Sequence, residues 1–154
     1  MSRFECGYSN FTTSTAAKTA AKLIGAAAKS WEIYESGMYG SGLAAPADIQ
    51  HQCIMAFSTN GGAGSGGTSP TPEPIIQNET VSALTTTVTY TSEPTTYTTN
   101  QFALFSFNQR GGMRWAVPIG MGFQANGAST QLSMGQLVKS SAAGAIDGVL
   151  QWAE

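Results

Sequence analysis

The sequence predicts an all-β chain folded as one antiparallel β-sandwich over residues 1–154, with eight or nine short strands. Three observations carry this. Apolar residues recur at alternate positions in short runs, the period of a half-buried strand. Clusters of Gly, Pro, Asn and Ser separate those runs at short intervals. The middle of the chain is rich in Thr, Val and Tyr, residues that suit a pleated surface.

Taken in order, Arg3 to Phe11 alternates Phe4, Cys6 and Tyr8 with Glu5, Gly7 and Ser9 and reads as the first strand. Ala16 to Ala28 is ambiguous, because Ala and Lys favour helix. Gly25 interrupts it and its neighbours read as strands, so a strand near Lys18 to Ala26 is favoured over a short helix. Trp31 and Ile33 open the next strand, which ends at Gly40-Ser41-Gly42, with a bulge expected near Ser36-Gly37 where the alternation breaks. Gln50 to Ser58 is a further strand carrying Ile54, Met55 and Phe57.

Asn60-Gly61-Gly62-Ala63-Gly64-Ser65-Gly66-Gly67 has almost nothing to pack and reads as a flexible connector. Prolines at 70, 72 and 74 then favour extended polyproline geometry. The loop from 60 to 78 is long enough to expect a function for it. Val81 to Thr91 is strand-prone. Gln101 to Asn108 places Phe102, Leu104 and Ser106 on one face and Ala103, Phe105 and Phe107 on the other, which predicts a central strand covered on both sides. Met113 to Val117 follows the Gly111-Gly112 turn. Leu132, Met134, Leu137 and Val138 suggest another strand, with a bulge at Gly135. Ala145 to Ala153 alternates Ile146, Gly148 and Leu150 with Asp147, Val149 and Gln151 and is the last. The expected core residues are Trp31, Phe102, Leu104, Trp115 and Ile146.

Charge is the unusual quantity. Asp, Glu, Lys and Arg make up 10% of residues, where about 25% is typical. Polar surface must therefore come from Ser, Thr, Asn and Gln, which cost far less to dehydrate than ions when a partner covers them. That composition points to assembly. The net charge is −2 and the basic residues form no patch, so the sequence predicts no nucleic-acid partner. The segment Met1-Ser2-Arg3-Phe4-Glu5-Cys6 lacks a signal-peptide core, and no apolar run approaches a membrane span, so neither secretion nor a membrane partner is expected.

The chemistry-bearing residues are sparse. His51 is the only histidine and has no companion ligand at a metal spacing. Glu32 and Glu35 would point to opposite faces of a strand, unlike a glycosidase pair, unless a bulge intervenes. The glycines from 61 to 67 lack the Lys-Ser/Thr ending of a phosphate loop. Cys6 and Cys53 fit no metal motif, and Cys53 reads as a small hydrophobe. The sequence therefore predicts no catalytic residues, no cofactor and no metal. Candidate interaction residues are Arg110 and Arg114, which flank a Gly-Gly turn and suit carboxylates such as Glu32 or Glu35. Thr68, Ile75 and Ile76 belong to a stretch, Thr68 to Gln77, expected to reach another protein chain.

Several segments together resemble a family of known proteins. The Phe4-Glu5 strand, Ser30-Trp31-Glu32-Ile33-Tyr34-Glu35 and the Gly/Thr/Pro loop occur in order. Ser92-Glu93-Pro94-Thr95, Phe105-Ser106-Phe107-Asn108-Gln109-Arg110 and Arg114-Trp115 follow. Together they resemble the small capsid cement or decoration proteins of tailed bacteriophages. The Ala-rich segment and the sparse pattern near Phe123 depart from that family. The resemblance implies a jelly-roll-like sandwich without enzymatic activity. It implies a homo-oligomer, dimer or trimer, that binds the major capsid protein on the capsid exterior and is made in the host bacterial cytoplasm. Two other readings stand beside it: a tail or head–tail connector component, and a carbohydrate-binding module.

Overall fold

The computed structural model describes residues 1–26, 28–42, 48–58, 64–94, 97–125 and 133–154, with the backbone alone described at 97–100 and 102. Among these residues the chain forms β1 (Arg3–Thr12), β2 (Lys18–Ile24), β3 (Trp31–Gly40), β4 (Gln50–Ser58), β5 (Glu73–Pro74), β6 (Thr85–Val88), β7 (Tyr97–Asn108), β8 (Gly112–Ala116), β9 (Phe123–Ala125), β10 (Ser133–Ser140) and β11 (Ala145–Ala153). The chain is all-β and makes two packed antiparallel sheets.

The pairing is nested. β1 pairs with β11, β2 with β10, β3 with β8 and β4 with β7. One sheet runs β5-β1-β11-β3-β8, with β9 also on β3, and the other runs β6-β2-β10-β4-β7. A long hairpin rolled so that successive strands alternate between sheets gives this jelly-roll order. β5 and β6 lie within the β4–β7 connection, and β9 lies between β8 and β10.

The inner faces follow from the alternation. Phe4, Cys6, Tyr8 and Phe11 of β1, Met38 of β3, and Ile146, Leu150 and Trp152 of β11 pack against Leu23, Cys53, Met55, Met134 and Val138. Asn10 takes a positive φ of 52°, which an Asn tolerates, and β1 shifts register between Tyr8 and Phe11. The shift turns Phe11 inward where strict alternation would bury Asn10.

A polar bridge crosses the middle of this core. Tyr8 Oη donates to Gln136 Oε1 at 2.9 Å, and Gln136 Nε2 donates to Ser36 Oγ at 2.9 Å and to the Gly37 carbonyl at 3.3 Å. It ties β1 and β3 of one sheet to β10 of the other. Gly148 makes room for it, because a Cβ there would lie 2.2 Å from Tyr8 Oη.

Each lateral side of the sandwich is closed differently. On one side the segment after Gly64 forms a strap. Thr68 exchanges backbone hydrogen bonds with Val88 of β6 at 2.9 and 2.8 Å, and Thr86 Oγ1 donates to the Pro70 carbonyl at 2.6 Å. The strap then crosses to the other sheet, where β5 pairs with Phe4 and Glu5 and Ile75 N donates to the Arg3 carbonyl at 2.9 Å. On the other side an aromatic row spans the gap. Phe105 of β7 lies 6.5 Å from Trp115 of β8, which stacks on Phe123 of β9 at 4.2 Å.

The structure corrects several sequence expectations. Lys18–Ile24 is a strand, as favoured over a helix. The irregularity in β3 falls at Tyr34, since Trp152 pairs with Ile33 and Gln151 with Glu35, one turn of the pleat before Ser36-Gly37. In β10 the shift against β2 lies between Gln136 and Leu137, while Gly135 is in regular register. Only Thr85–Val88 of the Val81–Thr91 run is strand. β7 is an edge strand instead of a central one. Its inward residues are the other set, with Phe107 buried and Ala103 and Phe105 packed on the core. Leu104, expected in the core, is therefore 53% exposed. The Phe102 side chain lies outside the described residues, as do Leu132 and the connector at 59–63. Trp31 and Ile146 are buried, and Trp115 is half-buried against the core.

Candidate interaction surface

Most of the few carboxylates accept hydrogen bonds from the chain itself. Glu32 is buried at the start of β3, where a polar group needs hydrogen-bond partners. Gly120 N, Gly122 N and Gln124 Nε2 all donate to it. Glu154 accepts from Ser82 Oγ, from Ala83 N at 3.0 Å and from Trp152 Nε1 at 3.2 Å. Glu79 accepts from Arg3 N at 3.1 Å, Glu93 from Thr19 N at 2.7 Å, and Asp147 from Asn10 N at 2.7 Å and Gly42 N at 3.3 Å. Charge-assisted bonds to main-chain amides are among the stronger ones, so each of these residues pins a loop.

Three of those staples shape one end of the sandwich. At that end Ser2 exchanges backbone hydrogen bonds with Glu154, and the loops after β5 and β8 close over the neighbouring strand ends. Met121 N donates to the Pro118 carbonyl at 3.0 Å, a turn that needs the positive φ of Gly120, 94°. The staples fix the loop backbones and leave apolar tips outside. Met1, Ile75, Ile76, Val81, Ile119 and Met121 are all exposed here. A cavity of about 340 Å³, lined by Met1, Trp31, Glu32, Gly120, Gln124 and Ala153, opens beside Met1. Exposed apolar groups gathered at one place mark a contact surface more than scattered ones do.

The predicted interaction residues are thus divided. Ile75 and Ile76 are 39% and 43% exposed at the apolar end. Thr68 belongs to the strap, and its backbone is bonded to its own chain. Arg114 holds Glu35 in a bidentate pair at 2.7 and 2.9 Å, with Glu35 largely covered. The hydrogen bonds that Arg114 donates to Glu35 raise the guanidinium pKa above its ordinary value. Arg110 is exposed in the β7–β8 turn at the opposite end, where its N–H donates to Asn108 Oδ1 at 2.8 Å. Glu32 and Glu35 are both covered, but one holds a loop and the other an arginine. The reading of the sequence missed Met1, Val81, Ile119 and Met121. Pro118-Ile119-Gly120-Met121-Gly122 carried a usable signal, apolar residues between turn glycines where a loop is normally polar.

Cys6 and Cys53 are free and buried, and burial pushes the Cys53 thiol up to about 12. Among the described residues no three His, Cys, Asp or Glu side chains gather as a metal site, and no helix is long and apolar enough to cross a membrane. His51 is buried against the Phe107 ring, 5.1 Å away, with Nδ1 2.7 Å from Ser140 Oγ. Its Nε2 has no hydrogen-bond partner among the described residues. Burial lowers its pKa below the ordinary value. The native state therefore refuses a proton that the unfolded chain accepts, so stability is full above the unfolded pKa and falls as the pH drops. Urea melts should lose stability as the pH falls below about 6.5, the ordinary histidine value, and His51→Asn should flatten that slope. An unchanged slope would remove His51 as its cause.

No family model matches the sequence, and no curated protein matches it. A structure of the infectious bursal disease virus Gx strain aligns with 97% of this chain at 10% identity. The alignment spans 38% of that viral chain, and its TM-score of 0.15 is too low to support any inference.

Proposed function

We propose that this chain is a structural virion protein of a tailed bacteriophage, a cement or decoration subunit seated on the capsid exterior. The observation that carries this reading is the apolar end: Met1, Ile75, Ile76, Val81, Ile119 and Met121 exposed together on a chain with 10% charged residues. The jelly-roll order is compatible with it, though lectins and cupins use the same order, so the fold alone would not suffice. Glu32, Glu79 and Glu154 tie the backbone at this end by hydrogen bonds, which lowers the ordering cost of docking. Repetition over a symmetric shell turns weak single contacts into firm attachment. The partner is the major capsid protein, and neither nucleic acid nor membrane is required. Trp115 and Phe123 stack on each other, which leaves less ring face for sugars and disfavours the carbohydrate-binding reading.

The test adds purified protein to particles that lack it and counts bound copies by imaging. Hundreds of copies fit a cement protein, and about a dozen fit a connector ring. A burial of about 1.5–3 kcal/mol per side chain makes Ile76→Asp and Met121→Asp each weaken particle binding about tenfold or more. Both residues are exposed, so both variants should melt as the wild type does. Undiminished binding by the two variants, or no binding by the wild type, overturns the proposal.

A further inference from the structure

The strand edges of this sandwich are not equally protected. An unpaired edge offers a row of N–H and C=O groups to any other chain, and folded proteins blunt such edges with shortness, charge, proline or a covering segment. β6 has four residues and lies under the strap, which occupies both backbone groups of Val88. β5 has two residues and includes Pro74. β8 has five residues and carries Arg114 outward. β9 has three. Among the described residues β7 differs on every count. It has 12 residues, Tyr97 to Asn108, with no charge and no proline, and it pairs on one side with β4. Its register shifts fall before Ala103, so Ala103 to Asn108 is a regular stretch. Leu104 stands 53% exposed in that stretch, with Ser106 exposed beside it.

We infer that β7 is the pairing edge for a second copy of this chain, joined antiparallel about a two-fold axis near Leu104 so that two five-stranded sheets become one of ten. Backbone ladders accept only an extended strand, which selects the kind of partner. Charge selects the identity. In a two-fold contact the same patch meets itself, so any charged side chain at its centre would face its own like. β7 carries none. Arg114 on β8 confines the pairing to the sheet that contains β7. The exposed Leu104 of each copy is then covered across the axis. This inference does not depend on the virion reading, because it uses a different surface from the apolar end.

Sedimentation velocity of the full chain tests it. The wild type should sediment as a dimer at micromolar concentration. Leu104→Lys with Ser106→Lys should sediment as a monomer with an unchanged melting temperature, since both side chains are exposed. Ile76→Asp with Met121→Asp should remain a dimer. A monomeric wild type, a dimeric lysine variant, or loss of the dimer in the Ile76 and Met121 variant overturns the inference. Hydrogen exchange on the wild type gives a readout that needs no variant. The amides of 103–108 should exchange more slowly at high protein concentration than at low, and concentration-independent exchange there also overturns it.

Discussion

Trp152→Ala should lower the unfolding free energy by about 3–5 kcal/mol in urea melts, the range for deleting a buried aromatic side chain. Trp152 is fully buried and packs on Phe4 at a ring separation of 6.0 Å. It pairs with Phe4 on one side and Ile33 on the other, so its cavity would open between three strands of one sheet. A second loss accompanies the cavity. The indole N–H donates to Glu154, the same carboxylate that holds Ser82 and Ala83. Faster exchange of the amides near Val81 should therefore accompany the drop in stability. A loss below about 1 kcal/mol, the ordinary size for a point substitution, would contradict this packing.

Gln136→Leu should cost about 3 kcal/mol or more, because each buried polar group left without a partner costs about 1–3 kcal/mol. Gln136 is fully buried, and its amide serves Tyr8, Ser36 and Gly37 at once. Leucine fills similar volume, so the effect isolates hydrogen bonding from packing. Burial holds the Tyr8 pKa well above its ordinary value, so the phenol stays a donor throughout the accessible pH range. In a double-mutant cycle, Tyr8→Phe should damage the wild type more than it damages the Gln136→Leu protein, with a coupling of about 1 kcal/mol. Simple additivity would mean that the two residues do not form one bridge.

Legibility varied with the physics of each element. Strands whose inner face is apolar and whose outer face is polar were readable, as in β1 with Phe4, Cys6 and Tyr8 and in β11 with Ile146, Gly148 and Leu150. β7 was misread because both its faces are apolar. Alternation then gives a period but no inside, and nothing local separates a covered centre from an exposed edge. The strap was read as a free arm, since prolines and glycines announce loop geometry and not where a loop lies. That depends on Val88 and Arg3, residues far along the chain in either direction. The same distance hid the carboxylates' roles. Glu32 and Gly120 meet only after β9 joins β3, and no spacing in the sequence foretells a loop amide as a partner. The exposure of Ile75 and Ile76 was legible because two adjacent isoleucines in a proline-rich loop lack a local core. Their companions Met1, Val81, Ile119 and Met121 come from separate segments that only the closed sandwich brings together.

The nested pairing has a consequence during synthesis. β1 leaves the ribosome first, yet its ladder partner β11 emerges last. At translation speeds of about 5–20 residues per second, that wait is roughly ten seconds. Throughout it Tyr8 and Phe11 have no ladder partner, and Phe4 has only the two-residue β5. β2 waits for β10 in the same way, although its other edge can take β6 earlier, while β4 with β7 and β3 with β8 can form complete ladders early. Assembly therefore closes from the innermost strands outward, through contacts far apart in sequence, which is the slow regime for folding. A nascent chain stalled before Ala145 can still pair β3 with β8 and β1 with the short β5, but the long edge of β1 that β11 would cover stays open to a strand from another nascent chain.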